Sequence, residues 1–359
     1  MKVLSSKYIN RAEWSKLVAS SATGTWFQTP EAYEFYASQP GLFNPFVLGV
    51  ENDQSPITND KSRLRAVCVG YVTVEKNPIK QFFTRRAIII GGPCLADDCT
   101  DEEVTTLMNA LKNYLSSVHS FIHSLVNSPI YIETRNFNDY SRWKRAFERA
   151  GFEYQPHLNF HVDTSSVEIV DKNVHKSRKR DIKTSIRDGV TIVDSQELIG
   201  KSQELEQRVH EFYLILKNLY KTKVKTPLFP ESFFHALAKH PDARFLLTEL
   251  DGKIIGGTVN VGMKEKCLYE WFACGKDGEW KTIFPSSVAT YAGIRYAAEH
   301  DMPRFDMMGA GKPGAAYGVR DFKAKFGGKE VEHGRYIYVA RPLLFQIGEI
   351  GVTILKKLK

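Results

Sequence analysis

The sequence predicts an α/β (α+β) chain of two tandem domains of one kind, each a mixed sheet flanked by helices. Three observations carry that expectation. At 359 residues the chain exceeds what one ordinary core supports, so two domains are expected. Strand-like and helix-like segments then alternate in two rounds of one order, β-β-β-α-β-α-β. Finally, "AFERAGFE" (146–153) and "DFKAKFGGKE" (321–330) hold the same place in the two rounds. The expected boundaries are 1–165 and 166–341, followed by a C-terminal amphipathic helix at 342–359.

In the first round a helix covers about 10–20, and a second opens on Pro30, the residue suited to a first helical turn. Strands follow at 46–51, 65–75 and 86–92, with the polar insert "NDQSPITNDKS" as a hairpin loop between the first two. Thr100 and Glu103 have the spacing of a capping box and open the next helix. A strand at 129–135 and a helix closed by Gly151 come next, and the round ends in "FEY" and "LNFHVD". Two helical segments, 173–188 and about 197–220, lead into the second round. Its strands are 243–250, 253–263 and 266–275, the first two joined by a "DGK" turn. A helix at about 284–300, a strand "RFDMM", the helix of "VRDFKAKF" closed by Gly327 and Gly328, and the strand "GRYIYVA" complete it.

Composition excludes several classes. The chain is 43% hydrophobic and 25% charged, as in soluble globular proteins. No apolar run is long enough to span a bilayer, and "MKVLSSKYINRAEWSKL" lacks a signal-peptide core. The five cysteines (68, 94, 99, 267, 274) form no CxxC pair and read as free thiols of a reducing cytoplasm. His119 and His123 are spaced i, i+4 without a third ligand, so neither a metal nor a cofactor is expected. A net charge of +8 favours an anionic partner: phosphates, nucleic acid or a membrane surface. No G-x-S-x-G, P-loop or HExxH occurs. "GAGKPG" (309–314) fits G-x-G-x-x-G, but Pro313 interrupts it and too little chain follows for a doubly wound sheet. It reads instead as a flexible loop at a strand end.

Three segments carry candidate chemistry. In "HKSRKRDIKTSIRDGV" (175–190), Ile182, Ile186 and Val190 form an apolar stripe, and Lys176, Arg180, Lys183 and Arg187 lie on or near another face. A solvated face and a phosphate-binding face both fit; six Lys or Arg against two Asp favours the second. In "CLYEWFACGKDGEW" (267–280), Tyr269 is either core or a proton donor to a leaving oxygen. At the C-terminus, apolar residues at 343, 347, 350, 354 and 358 with a basic end describe a helix that packs on its own domain or lies on an anionic membrane.

Taken together, "FQTPEAY", "IIIGGP", "IYIETRNF", "GFEYQPHLNFHVD", "RDIKTSIRDGV" and above all "RFDMMG…GVRDFKAKFGG" resemble the FemA/FemB/FemX family of peptidoglycan bridge-forming aminoacyltransferases, over about 25–340. The resemblance implies two tandem GNAT (acetyltransferase-like) domains, the first on the acceptor side and the second on the donor side. It also implies transfer of an amino acid from aminoacyl-tRNA to an amine of a nucleotide- or lipid-linked peptidoglycan precursor. The implied location is the cytoplasm, with peripheral contact at the inner face of the membrane as a further expectation. Some members of the family carry a long helical arm in the second domain, but no long heptad segment occurs here, and "GKDGEW" does not match the GNAT pyrophosphate loop, which disfavours acetyl-CoA. On this reading Lys323 stabilises the donor phosphate or the oxyanion, while Arg180, Lys183 and Arg187 hold the acceptor diphosphate. Gln28 and Arg135 line the first-domain wall; Lys325, also a candidate for substrate binding, lies about 200° round the helix and faces away from whatever Lys323 faces. The sequence nominates no general base. The rival readings are a GNAT-type N-acyltransferase using acyl-CoA or acyl carrier protein, and a non-enzymatic RNA- or membrane-binding protein.

Overall fold

The computed structural model describes residues 1–52, 63–116, 128–315 and 317–348. The 52–62 insert, apart from Asn52, the pair His119 and His123, and positions 350, 354 and 358 of the C-terminal stripe lie outside them. The chain forms two compact units, Met1–His157 with His333–Lys359, and Leu158–Glu332.

In the first unit, β1 (Lys2–Ser5), β2 (Phe43–Glu51), β3 (Leu64–Thr73), β4 (Ala87–Gly91), β5 (Cys94–Leu95), β6 (Tyr131–Asn136) and β7 (Glu153–Gln155) are joined by the chain's last strand, β15 (Arg335–Val339). The sheet order is β1-β2-β3-β4-β6-β15-β7, with β5 beside β3, and among the described residues only β4 and β6 run parallel. The helices are α1 (Arg11–Ser20), α2 (Pro30–Ala37), α3 (Pro78–Thr84), α4 (Asp101–Ser116) and α5 (Lys144–Arg149). The caps are those the sequence announces. Thr29 caps α2 ahead of Pro30. At α4 the Thr100 amide donates to Glu103 Oε2 at 2.8 Å and the Glu103 amide to Thr100 Oγ1 at 3.2 Å, closing the capping box.

The second unit holds β8 (Leu158–Asp163), α6 (Val167–Asn173), α7 (Lys176–Arg187), β9 (Thr191–Asp194), α8 (Ser202–Leu219), α9 (Glu231–Ala238), β10 (Ala243–Leu250), β11 (Lys253–Met263), β12 (Cys267–Gly275), α10 (Pro285–Glu299), β13 (Arg304–Asp306), α11 (Gly318–Ala324) and β14 (Lys329–Glu332). Its sheet order is β9-β10-β11-β12-β13-β8-β14, and among the described residues only β12 and β13 run parallel. Strand for strand this repeats the first sheet. The "DGK" turn between β10 and β11 has Asp251 and Gly252 both at positive φ (49° and 74°), as a tight hairpin requires.

Two features differ from expectation. "LNFHVD" was grouped by sequence with the first half and "GRYIYVA" with the second. The pairing exchanges them: β8 lies between β13 and β14, and β15 between β6 and β7. The buried stripe of α7 is also rotated. Arg178, Ile182 and Ser185 face inward, whereas Ile186 is 53% exposed. Ser185 takes the inner position because its hydroxyl accepts the Phe284 amide at 2.9 Å and donates to Asp181 O at 2.8 Å. At the C-terminus residues 342–348 are helical, with Leu343 and Ile347 of the expected stripe exposed. The ring contact there is Phe345 edge-on to Tyr131 at 5.5 Å. Among the described residues no helix is long and apolar enough to cross a membrane, and no group of three or more His, Cys, Asp or Glu is placed to hold a metal.

Candidate active site

The parallel strand pair distinguishes the two sheets. In the first unit β4 and β6 stay in register over five pairs, from Ala87↔Ile132 to Gly91↔Asn136. In the second, β12 and β13 pair only at Cys267↔Arg304, Leu268↔Phe305 and Tyr269↔Asp306. Beyond Tyr269 the strands part. β12 continues to Gly275 along β11, while the chain after Asp306 leans toward β8, with Met307 N on Phe160 O and Ala310 N on Leu158 O. The parting interrupts the hydrogen bonding of the sheet and leaves an opening between the two strands.

Two cations of α11 hold this opening. The Lys323 ammonium donates to the carbonyl oxygens of Met307, Met308 and Gly309, the last at 3.0 Å. Arg320, one turn earlier, donates to the carbonyls of Ala310 (3.2 Å), Lys312 (2.6 Å) and Ala315 (3.1 Å). The glycine-rich loop is therefore held by its carbonyls. Its start is strained: Met308 has φ 48°, and its amide is held by Asp306 Oδ1 at 2.8 Å. The glycines after α11 also have a packing reason. Gly327 has φ +81°, and a Cβ there would come within 2.4 Å of Asn173 O.

The sequence reading assigns Lys323 to the donor phosphate or the oxyanion; in the structure its ammonium turns inward onto the loop. It is 8% exposed, all three of its N–H bonds go to backbone, and burial lowers its pKa against the pull of Glu270 and Asp306. An ammonium so engaged positions the loop. Lys325, two residues on, is exposed at the helix end. Tyr269 is fully buried among Cys267, Arg304 and Asp306, and burial pushes its phenol well above the usual range. It packs in the sheet core. Asp306 anchors the same region, with His161 Nε2 at 3.1 Å and Asn159 Nδ2 at 2.7 Å. Burial acts to raise its pKa, but His161 and Arg304 bring it below the usual carboxylate value.

Sequence reading missed Glu270. It is the first β12 residue past the last β12–β13 pair, and neighbouring strand side chains point to opposite faces, so it faces away from Tyr269. It is 5% exposed and its Oε1 accepts from Thr290 Oγ1 at 2.8 Å. Burial raises its pKa to about 7, although Lys323 and Thr290 oppose the shift. An isolated glutamate inside "CLYEWFACG" gives little sequence signal beyond being the one charge in an apolar strand.

The other candidates separate. Arg180 and Arg187 are exposed on α7, 3.6 Å from Asp181 and 3.0 Å from Asp188, and Lys183 is exposed beside them. The inward arginine of that helix is Arg178, unremarked in the sequence. Its guanidinium lies 4.5 Å from the Phe322 ring and 4.9 Å from that of Phe326, and donates to Ser287 Oγ. Gln28, in the first unit, is fully buried. Its Nε2 donates to Val69 O (2.9 Å) and Ile90 O (3.0 Å), and its Oε1 accepts the Val69 amide (2.8 Å), clasping β3 to β4. Arg135, also in the first unit, is one-third exposed and shares Glu133 with Arg335. Burial would raise the Glu133 carboxyl, but the two guanidiniums bring it down to about 2. Two cations on one carboxylate leave a net positive charge.

The N-terminus of α10, where a diphosphate would seat, is closed from within. Pro285 has no N–H, and Ser287 and Val288 donate to Phe284 O at 3.0 and 3.2 Å. The Ser286 amide goes to Asp277 Oδ1 at 3.3 Å, and its hydroxyl to the same carboxylate.

Residues 176–324 match the family model described as an acetyltransferase (GNAT) domain. Among curated proteins none is significantly similar to the chain. The structure of FemX superposes with a TM-score of 0.67 at 13% identity, covering 97% of this chain and 99% of that one. The C-terminal domain of a putative lysylphosphatidylglycerol synthetase from Agrobacterium fabrum gives 0.55 at 11% identity, covering 95% of each chain. A tandem GNAT protein of the clavulanic acid biosynthesis pathway gives 0.50 at 8% identity, covering 94% of this chain and 98% of that one. From end to end, the chain has the tandem GNAT fold that FemX has.

Proposed function

We propose that the chain is a Fem-like aminoacyltransferase. In this reading it joins an activated amino acid, delivered as an aminoacyl-tRNA ester, to an amine of a peptidoglycan precursor or similar cell-envelope acceptor. The match to an acetyltransferase (GNAT) domain supports acyl transfer as the chemistry. The observation that carries the reading is Glu270, a buried carboxyl with a pKa of about 7, at the point where β12 and β13 part. A base titrating near neutral pH suits removal of a proton from an alkylammonium. The freed amine attacks the ester carbonyl, the C–N bond forms, and the C–O bond to the ribose breaks. The ribose oxygen leaves with a proton shed by the amine nitrogen. No protein nucleophile is needed, because the ester is already activated. Lys323 and Arg320 act by holding the opposite wall of the opening. The exposed Arg180, Lys183 and Arg187 remain available to an acceptor diphosphate.

Asp277 favours tRNA over coenzyme A as the donor. A coenzyme A diphosphate at the start of α10 would meet a carboxylate and no free amide among the first four helical residues. The acyl-CoA reading retains one support, the domain match itself. Two acceptor classes remain: the sequence resemblance to the FemA/FemB/FemX family suggests a wall precursor, and the name of the lysylphosphatidylglycerol synthetase a lipid. Equilibrium binding separates the donors. Affinity for charged tRNA that falls steeply with salt, with no saturable binding of acetyl-CoA, is expected. Saturable acetyl-CoA binding without RNA binding would overturn the proposal.

A further inference from the structure

Past the end of α8 the chain makes one wide helical turn, Tyr220–Val224, closed by Lys225 N on Tyr220 O at 2.8 Å, and leaves it through Lys225 at φ 55°. Between Glu211 and Glu231 there is no acidic residue, but there are four lysines: 217, 221, 223 and 225. All four are exposed, and among the described residues none is in an ion pair. Surface lysines are ordinarily interspersed with carboxylates, so an unbalanced run on an ordered turn needs a reason.

Its position supplies one. α8 packs on β11 and β12. Tyr220, on the wide turn, is within electrostatic reach of Cys274 at the far end of β12 and of Tyr317 after the glycine-rich loop. The turn is therefore on the β12 side of the opening, and at its mouth the Tyr317 ring lies against Gly311 of the glycine-rich loop. Tyr317 is 44% exposed at that mouth, and the next segment adds Lys276 and Lys281. Lysines that follow a backbone, next to an exposed aromatic ring, are what a single-stranded nucleic acid end requires: charge for phosphates and a face for a base. An anionic membrane would need no ring beside a narrow opening.

We infer that Lys217, Lys221, Lys223, Lys225 and Tyr317 form the docking surface for the RNA 3′ end that carries the activated amino acid, leading it into the opening at Glu270. The inference rests on the aminoacyl-tRNA reading above and adds where the RNA lies. The terminal base stacks on Tyr317 and the phosphates preceding it follow the lysine turn.

The test measures binding of bulk deacylated tRNA and of phosphatidylglycerol vesicles as salt is varied. The variants are Lys221→Ala/Lys223→Ala/Lys225→Ala, Tyr317→Ala, and Lys264→Ala as an exposed lysine elsewhere, with melting curves to verify folding. The triple variant is expected to lose at least tenfold in tRNA affinity. The slope of log affinity against log salt should become shallower by about 2 to 3, the value for three lost phosphate contacts. Tyr317→Ala should weaken tRNA binding about tenfold with the slope unchanged, and Lys264→Ala should match wild type. Equal tRNA binding by wild type and the triple variant, or an equal loss in Lys264→Ala, overturns the surface while leaving the aminoacyl-tRNA reading intact. Loss of vesicle binding alone in the triple variant reassigns the surface to lipid. Failure of the wild type to bind tRNA removes both the surface and the reading beneath it.

Discussion

Replacing Lys323 with Met tests whether this side chain holds the loop or meets the substrate. Met conserves length and apolar stem and deletes the charge. Three carbonyls then lose their donor: Met307 O in a buried residue, Met308 O and Gly309 O in residues that water reaches. A hydrogen bond to a charged group contributes roughly 1.5–3 kcal/mol, and an orphaned buried acceptor costs about 1–3 kcal/mol. Only the first carbonyl is fully orphaned, and removing a buried ammonium returns part of its desolvation cost. A net loss of about 2 kcal/mol is expected, or roughly 4–8 °C in Tm for a unit of this size. Turnover should fall at least tenfold, because the wall of the opening relaxes. Lys325→Met, on an exposed side chain, should stay within about 0.5 kcal/mol of wild type. Differential scanning calorimetry with transfer rates on the same preparations provides both readouts. A Lys323→Met protein that melts like wild type yet loses two or more orders of magnitude in turnover would refute the positioning role and restore direct contact with the donor.

Glu270→Gln should abolish the rise in transfer rate that wild type shows through about pH 7, measured as a pH–rate profile. The same residue makes stability pH-dependent. Because its folded pKa is raised above the unfolded value, the unfolded state releases its proton first, so stability falls as pH increases from about 4.5 to 7. Urea titrations at both ends of that window should show the fall in wild type and a flatter response in Glu270→Gln. Gln28→Leu should cost the first unit about 1–3 kcal/mol by orphaning groups of Val69 and Ile90, read as a lower urea midpoint. Arg180→Ala with Arg187→Ala should leave melting unchanged and weaken binding of a nucleotide-linked acceptor by about 1–3 kcal/mol, measured by calorimetry.

Much of the fold is legible in the sequence because its punctuation is local. Thr100 with Glu103, Pro30, the "DGK" turn and the glycine after α5 mark where elements begin and end, and the repeated order of strands shows the duplication. The exchange of β8 and β15 is not local. "LNFHVD" and "GRYIYVA" both read as short strands, and nothing in either says which sheet will receive it. The edge strands β1, β9 and β14 have four residues each, too few to establish a period. The site divides in the same way. A helix over a glycine-rich strand end was readable, as was the opposition of Lys323 and Lys325. The direction of Lys323 was not, because carbonyls and phosphate oxygens ask the same thing of an ammonium. Glu270 derives its character from burial and from the parting of β12 and β13, neither of which one glutamate in an apolar run discloses. Arg178 was hidden among six cations, since a charged run reads as solvated until packing shows which member turns inward.

The central claim is amide formation from an aminoacyl ester, with Glu270 as the base. Mass spectrometry of the acceptor after incubation with purified protein tests it most directly, with charged tRNA and acetyl-CoA offered separately to a nucleotide-linked stem peptide bearing a free amine. The account predicts an added aminoacyl group from charged tRNA, none from acetyl-CoA, and loss of at least a hundredfold in rate for Glu270→Gln at pH 7 with folding intact. An acetylated acceptor with no aminoacyl product, or a Glu270→Gln protein that transfers at the wild-type rate, would contradict it.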